Sequence, residues 1–173
     1  DLQVILPRDT IALQEDFFCL VDEFDNDQDE KVPAINDFKD FVISFLEWPG
    51  DCLWGLDQDH PLSDNLFVPL PEFNETLSPS FAFAEPRPKD PENPWLLLIQ
   101  TLPLHTDLDT PITHDARGWS ASPARRFERL LRETKVPIGI ITNRTHIRLI
   151  YAPKGENAGS LTFPVHAMME VAG

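Results

Sequence analysis

His105, Asp107, Asp109, His114 and Asp115 fall within eleven positions of one another. Imidazole and carboxylate together make a donor set for Zn²⁺ or Mn²⁺. Their spacing matches no established ligand pattern, and such residues also cap turns, where a carboxylate accepts amide hydrogens a little further along. Turn capping is the expected role. A second acidic run, Asp25-Asn26-Asp27-Gln28-Asp29-Glu30, opens like a calcium loop with oxygen donors at its first, third and fifth positions. The sixth position needs glycine and is Glu30, and the twelfth needs glutamate and is Asn36. A solvated acidic turn is expected there, and no metal site is assigned.

Nucleophilic chemistry has little support. No G-x-S-x-G elbow occurs, and neither Cys19 nor Cys52 has a neighbouring base in sequence. The remaining candidates are arginines. Arg125, Arg126, Arg129 and Arg132 form a stripe, and Arg144 and Arg148 follow on the next elements. Guanidinium groups in such a stripe can contact phosphates, giving sequence-independent affinity that falls with salt. The same stripe can pair with acids of its own chain or meet a protein partner. Arg125, Arg126, Arg129, Arg132 and Arg144 are the candidate nucleic-acid-binding residues.

The elements around these residues follow from composition and periodicity. The 173 residues carry 14 Lys+Arg against 29 Asp+Glu, a formal net charge of −15. Residues 1–115 hold 25 acids and 5 bases, a net −20, while residues 116–173 hold 4 acids and 9 bases, a net +5. The acidic lobe repels polyanions. With 42% apolar residues a core is available, and no run approaches the ~20 apolar residues of a membrane span. Seventeen prolines predict a loop-rich fold. Two cysteines suit a reducing, cytoplasmic setting. The opening Asp1 suggests a piece of a longer protein.

Leu13, Phe17, Leu20, Val21 and Phe24 share one helical face, and Thr10 or Asp9 suits its cap. Phe38, Phe41, Val42, Phe45 and Leu46 repeat the pattern, predicting a second helix over about 33–48 and a helical hairpin. Leu66–Val68 and Phe81–Phe83 read as short strands, and Glu85–Pro94 as a stiff proline connector. The apolar run Trp95–Leu102 suits a central strand covered on both faces. Ser122-Pro123 marks a helix start, and the helix should run to about Thr134 with Ala124, Phe127, Leu130 and Leu131 buried. Glu128 to Arg132 and Arg129 to Glu133 are spaced for pairing. Strands Val136–Thr142 and His146–Tyr151 should join through Asn143-Arg144-Thr145, with Asn tolerating a left-handed conformation.

The stretch GWSASPARRFERLLRETKVPIGIITNRTHIRLIYAPKGENAGSLTF, Gly118 to Phe163, resembles the N-terminal region of large bacterial adenine-specific DNA methyltransferases. These belong to type IIG restriction–modification and to the DISARM phage-defence system. The layout of apolar strand, long helix, G-I-I-T-N strand and R-L-I-Y strand also resembles the N-terminal nuclease domain of type I restriction subunits. The resemblance implies an α/β fold: a restriction-endonuclease-like mixed sheet flanked by helices, with the helical hairpin in front. It divides the chain into a helical part, 1–50, and a nuclease-like part, 51–173, within one compact domain.

Nucleases of that fold place an Asp on one strand and Glu-x-Lys on the next, the carboxylates holding Mg²⁺. Here Ser80 stands where the Asp would, and Gln100-Thr101-Leu102 where Glu-x-Lys would. The Asn/Asp-Pro-Pro-Tyr/Phe motif and glycine-rich turn of amino-methylating enzymes are also missing, since Asn93-Pro94-Trp95 lacks the second proline. The resemblance therefore implies a non-catalytic module that positions DNA or partner subunits, other domains of the same defence system among them. S-adenosylmethionine would bind in a catalytic domain outside this chain. A Mg²⁺-dependent nuclease with migrated residues and a protein-binding adaptor are the alternatives.

Overall fold

A computed structural model describes residues 6–26, 29–56, 58–111 and 120–170. The chain opens with α1 (Leu6–Phe18), then strands β1 (Val21–Asp25) and β2 (Lys31–Ile35). A short α2 (Phe38–Asp40) runs on into a π-helical turn, Phe41–Phe45. Next come β3 (Leu53–Trp54), β4 (Val68–Leu70), β5 (Glu75–Leu77), β6 (Phe81–Ala84) and β7 (Trp95–Thr101). The last part holds α3 (Pro123–Thr134), β8 (Ile138–Thr142), β9 (His146–Tyr151), β10 (Gly159–Pro164) and α4 (Val165–Met169). The molecule is a mixed α/β fold. No described helix is long and apolar enough to cross a membrane.

Six strands form the main sheet in the order β10-β9-β8-β7-β6-β3. Among the described residues only β7 and β8 pair in parallel, with Ile99 opposite Ile140. A parallel pair needs a long crossover, and α3 supplies it. Ser122 begins that helix by accepting the Arg125 amide on its hydroxyl, and Pro123 takes the first helical position. Both ends of α3 match the sequence expectation.

The sheet separates two cores. On one face Leu98, Ile141 and Ile150 meet Phe127, Leu130 and Leu131 of α3, with Leu70 and Leu77 of the β4–β5 hairpin beside them. On the other, Ile99, Ile140 and Ile147 meet Phe17, Ile35, Phe38, Phe41 and Val42. Successive residues of β7 thus point into different cores, which is why that strand reads as an unbroken apolar run.

The N-terminal part differs from a helical hairpin. β1 and β2 form a β-hairpin, Val21 facing Ile35 and Phe24 facing Val32, so Val21 and Phe24 leave the helical face. Pro33, expected to open the second helix, pairs with Glu23 inside β2. The helix begins instead at Phe38, where Asp37 Oδ1 accepts the Lys39 amide at 2.7 Å. The expected phenylalanine face survives in shortened form. Phe17, Phe41 and Phe45 pack together, with the Phe41 and Phe45 rings stacked at 5.3 Å. Strand pairing won here because Lys31–Ile35 has a partner five residues long waiting in β1. α1 also starts at Leu6, ahead of the expected cap.

The acidic run between the strands is the hairpin turn. Asn26 Oδ1 accepts the Glu30 amide at 2.8 Å, and Lys31 Nζ lies 2.7 Å from Asp25 Oδ1. Asp27 and Gln28 lie outside the described residues.

Candidate functional site

Ser80 immediately precedes β6, and Gln100 and Thr101 close the neighbouring β7. The antiparallel register sets Phe81 opposite Ile99, so the three polar residues meet at one end of the sheet. Ser80 Oγ lies 3.0 Å from the Thr101 amide, 3.1 Å from Gln100 Nε2 and 3.1 Å from Thr101 Oγ1. The Ser80 amide itself donates to the Ile99 carbonyl at 2.8 Å. A hydroxyl has two acceptor sites and one proton, so these contacts fill Ser80 completely. The cluster is neutral.

Gln100 and Leu102 are two residues apart at the end of this strand. Both line a cavity of about 230 Å³ beneath α3, together with Glu75, Phe127, Leu130 and Arg126. The Glu75 carboxylate is tied to the Arg126 guanidinium by a hydrogen-bonded ion pair. Mg²⁺ requires hard, preferably anionic oxygens. A serine, an amide and a leucine, with the neighbouring carboxylate already held by an arginine, do not fit it. No metal-assisted step is derived for this end of the sheet.

The arginine stripe is largely turned to intramolecular work. Arg126 reaches Glu75, and its Nε also donates to the Ala121 carbonyl at 3.3 Å. Arg129 donates to Glu72 at 2.6 Å, with its guanidinium 5.8 Å from the Phe73 ring centroid. These contacts strap α3 to the segment Pro71–Leu77. Arg125 pairs with Glu128 at 2.9 Å, an i,i+3 contact rather than the expected pairing of Glu128 with Arg132. Arg132 points a nitrogen toward the Glu156 carbonyl at 3.5 Å. Arg125 is the most open of the paired arginines, with 70% of its side chain exposed. The hydrogen bond to Arg129 helps hold the Glu72 carboxyl below its ordinary value, after the larger effect of a backbone hydrogen bond.

Arg144 stands apart from the stripe. Its guanidinium lies 4.4 Å from the Phe24 ring centroid, and its Nε donates to the Ile35 carbonyl at 2.7 Å. It locks the β1–β2 hairpin onto the sheet. Arg144, not Asn143, is the left-handed residue of the β8–β9 turn, at φ 75°. Asn143 acts through its side chain: Oδ1 accepts the Thr145 and His146 amides and the Thr145 hydroxyl, while Nδ2 donates to the Thr106 carbonyl at 2.9 Å.

The His105–Asp115 cluster divides. Asp107 caps a turn, accepting the Asp109 amide at 2.7 Å and the Thr110 hydroxyl at 2.9 Å. These hydrogen bonds, first that from the Asp109 amide, lower its pKa. Asp109 receives both terminal nitrogens of Arg148, at 2.6 and 2.8 Å, and that bond lowers its pKa in turn. Sequence reading grouped Arg148 with the stripe and missed this bidentate pair, which spans 39 positions. His114 and Asp115 lie outside the described residues. No group of three metal-ligating side chains forms among the described residues.

Next to that turn, Thr145 Oγ1 lies 3.0 Å from Asn143 Oδ1 and 2.9 Å from His146 Nδ1. Burial pushes the His146 pKa below its ordinary 6.5, and the charges of His166 and Arg148 push the same way. The unfolded chain therefore takes up this proton first as pH falls, and the contribution to stability is lost on going below 6.5. Urea unfolding at pH 7.5 and pH 5.5 should show lower stability at the acid end, with a smaller difference in His146→Gln. An equal difference in both proteins would remove His146 from the account.

Neither a protein-family model, nor a curated protein, nor a solved structure matches this chain.

Proposed function

We propose that the chain is a non-catalytic positioning module of a DNA adenine methyltransferase in a restriction or phage-defence system. The carrying observation is the neutral, hydrogen-bonded Ser80–Gln100–Thr101 cluster at the adjoining ends of β6 and β7. That is where the resembling nucleases keep a carboxylate, a second carboxylate and a lysine. Two further features support a restriction-endonuclease-like layout. β3, β6 and β7 form an antiparallel meander, and α3 then crosses to the parallel β8.

Positioning through protein contacts is favoured over DNA, because Arg126 and Arg129 reach acids of their own chain. DNA contact through Arg125, Arg129 and Arg132 is the second reading, favoured by the open Arg125. Arg126 and Arg144 do structural work in either. Methyl transfer belongs to a domain beyond these residues.

Titrating labelled duplex DNA with the chain at 50 and 200 mM salt, with and without Mg²⁺, tests both readings. The expected result is no cleavage and at most weak binding that collapses at the higher salt. Tight binding abolished in the Arg125→Ala, Arg129→Ala, Arg132→Ala triple variant would establish the DNA reading. Mg²⁺-dependent cleavage lost on changing one carboxylate would overturn the non-catalytic one.

A further inference from the structure

At the β3 edge of the sheet, a cavity of about 440 Å³ opens between β3, the start of β7 and the proline connector. Its walls include Trp54 and Trp95, whose rings stand at 85° with centroids 5.7 Å apart. Two indoles at right angles form an aromatic corner. Asp51, Glu85 and Glu92 also line the cavity. None of the three forms an ion pair among the described residues. The connector's own cations, Arg87 and Lys89, are not among the residues lining it.

The walls are fixed in advance. The Glu85 amide donates to the Pro94 carbonyl at 2.8 Å, closing the neck of the connector. Asn65 bridges the connector to the corner: its Nδ2 donates to the Glu92 carbonyl at 3.0 Å, and its Oδ1 accepts the Trp95 indole N–H at 3.2 Å. Four prolines between Glu85 and Trp95 remove much of the remaining backbone freedom. A pocket ordered before binding loses little entropy when it is filled.

The geometry points to a binding site for an organic cation, the head group of a lysine or arginine carried by a basic segment of a partner polypeptide. Indole faces attract a cation within about 6 Å of the ring centroid, and unpaired carboxylates around the mouth add Coulomb attraction. The surrounding net −20 of residues 1–115 draws basic chains and repels nucleic acid, which selects a polypeptide as the source of the cation. This site holds whatever chemistry the parent assembly performs. It predicts binding even if the chain never contacts DNA.

Isothermal titration calorimetry with the peptide acetyl-GRGKGRG-amide, and with a control carrying glutamine at its three basic positions, tests it at 20 and 150 mM salt. Tetramethylammonium and free argininamide form the small-molecule arm. The basic peptide should bind saturably, and the control should not. Glu85→Gln with Glu92→Gln should weaken binding about tenfold or more, and Trp54→Leu should do the same even at 150 mM salt, where the diffuse field of the lobe is screened. The double glutamine variant alters side chains outside both cores, so it keeps the question open if Trp54→Leu fails to fold. Unsaturable binding, equal binding of the control, or binding unmoved by the glutamine variants overturns the site. Binding of the small cations with none of the peptide would overturn the polypeptide as its source.

Discussion

Gly139→Ala should destabilise the protein by about 2–3 kcal/mol, the upper range for forcing one extra carbon into a packed core. A methyl at this position would sit 2.6 Å from both Cε1 and Cζ of Phe127 and 2.8 Å from Leu131 Cδ2. Real carbon–carbon contacts are close to 4 Å. Neither neighbour can swing aside, because Phe127 and Leu131 are 2% and 0% exposed between α3 and the sheet. Relief would require moving α3, which is strapped through Arg126 and Arg129 to the segment holding Glu72 and Glu75. For a chain of this size the loss lowers the thermal midpoint by roughly 5–10 °C. The double variant Gly139→Ala, Phe127→Leu should lose less than the sum of the single effects, since the smaller side chain leaves room for the methyl. Additive losses would mean the clash is not with Phe127. No loss in the single variant would mean that helix and sheet are further apart than described.

The second large effect is expected at the β8–β9 turn. Asn143 is 7% exposed and its amide serves four partners in two segments. Asn143→Ala leaves the part-buried His146 amide and Thr106 carbonyl without their side-chain partner, and a fully buried group left so costs about 1–3 kcal/mol. A loss of about 2–4 kcal/mol is expected, read as a shift in the urea midpoint with unchanged slope. Asn157→Ala, at an exposed position, should stay within about 0.5 kcal/mol of the parent. A loss below 1 kcal/mol at Asn143 would show that the loop through Thr106 is held by something else.

What the sequence disclosed tracks how local each signal is. α3 was legible to the residue because a serine cap, a proline and an apolar face all lie inside one short segment. The unbroken apolar character of Trp95–Leu102 likewise placed β7 at the centre of the sheet. The β1–β2 hairpin was not legible. Phe24 fits a helical face as well as a strand, and the choice is made by Val32, Pro33 and the distant guanidinium of Arg144. The same holds for the arginine stripe: its spacing was readable, but Glu72 and Glu75, more than fifty positions away, decide what it holds. The Trp54–Trp95 corner left no trace in either segment alone. Ser80 and Gln100 lie twenty positions apart, and the hydrogen bond between them depends on strand register.

β7 and β8 are walls common to both cores, and the molecule opens accordingly. Leu98 and Ile99 are both fully buried, one against α3 and one against the N-terminal layer. Either layer can come away while the other still covers one side of the strand. Fluctuations short of complete unfolding therefore come in two kinds, and amides of β7 exchange with solvent only when both layers have left. The protein's slowest-exchanging protons should trace β7 and its parallel neighbour β8, where Ile140 and Ile141 divide between the two cores in the same way, while α1 and the β1–β2 hairpin lose theirs earlier.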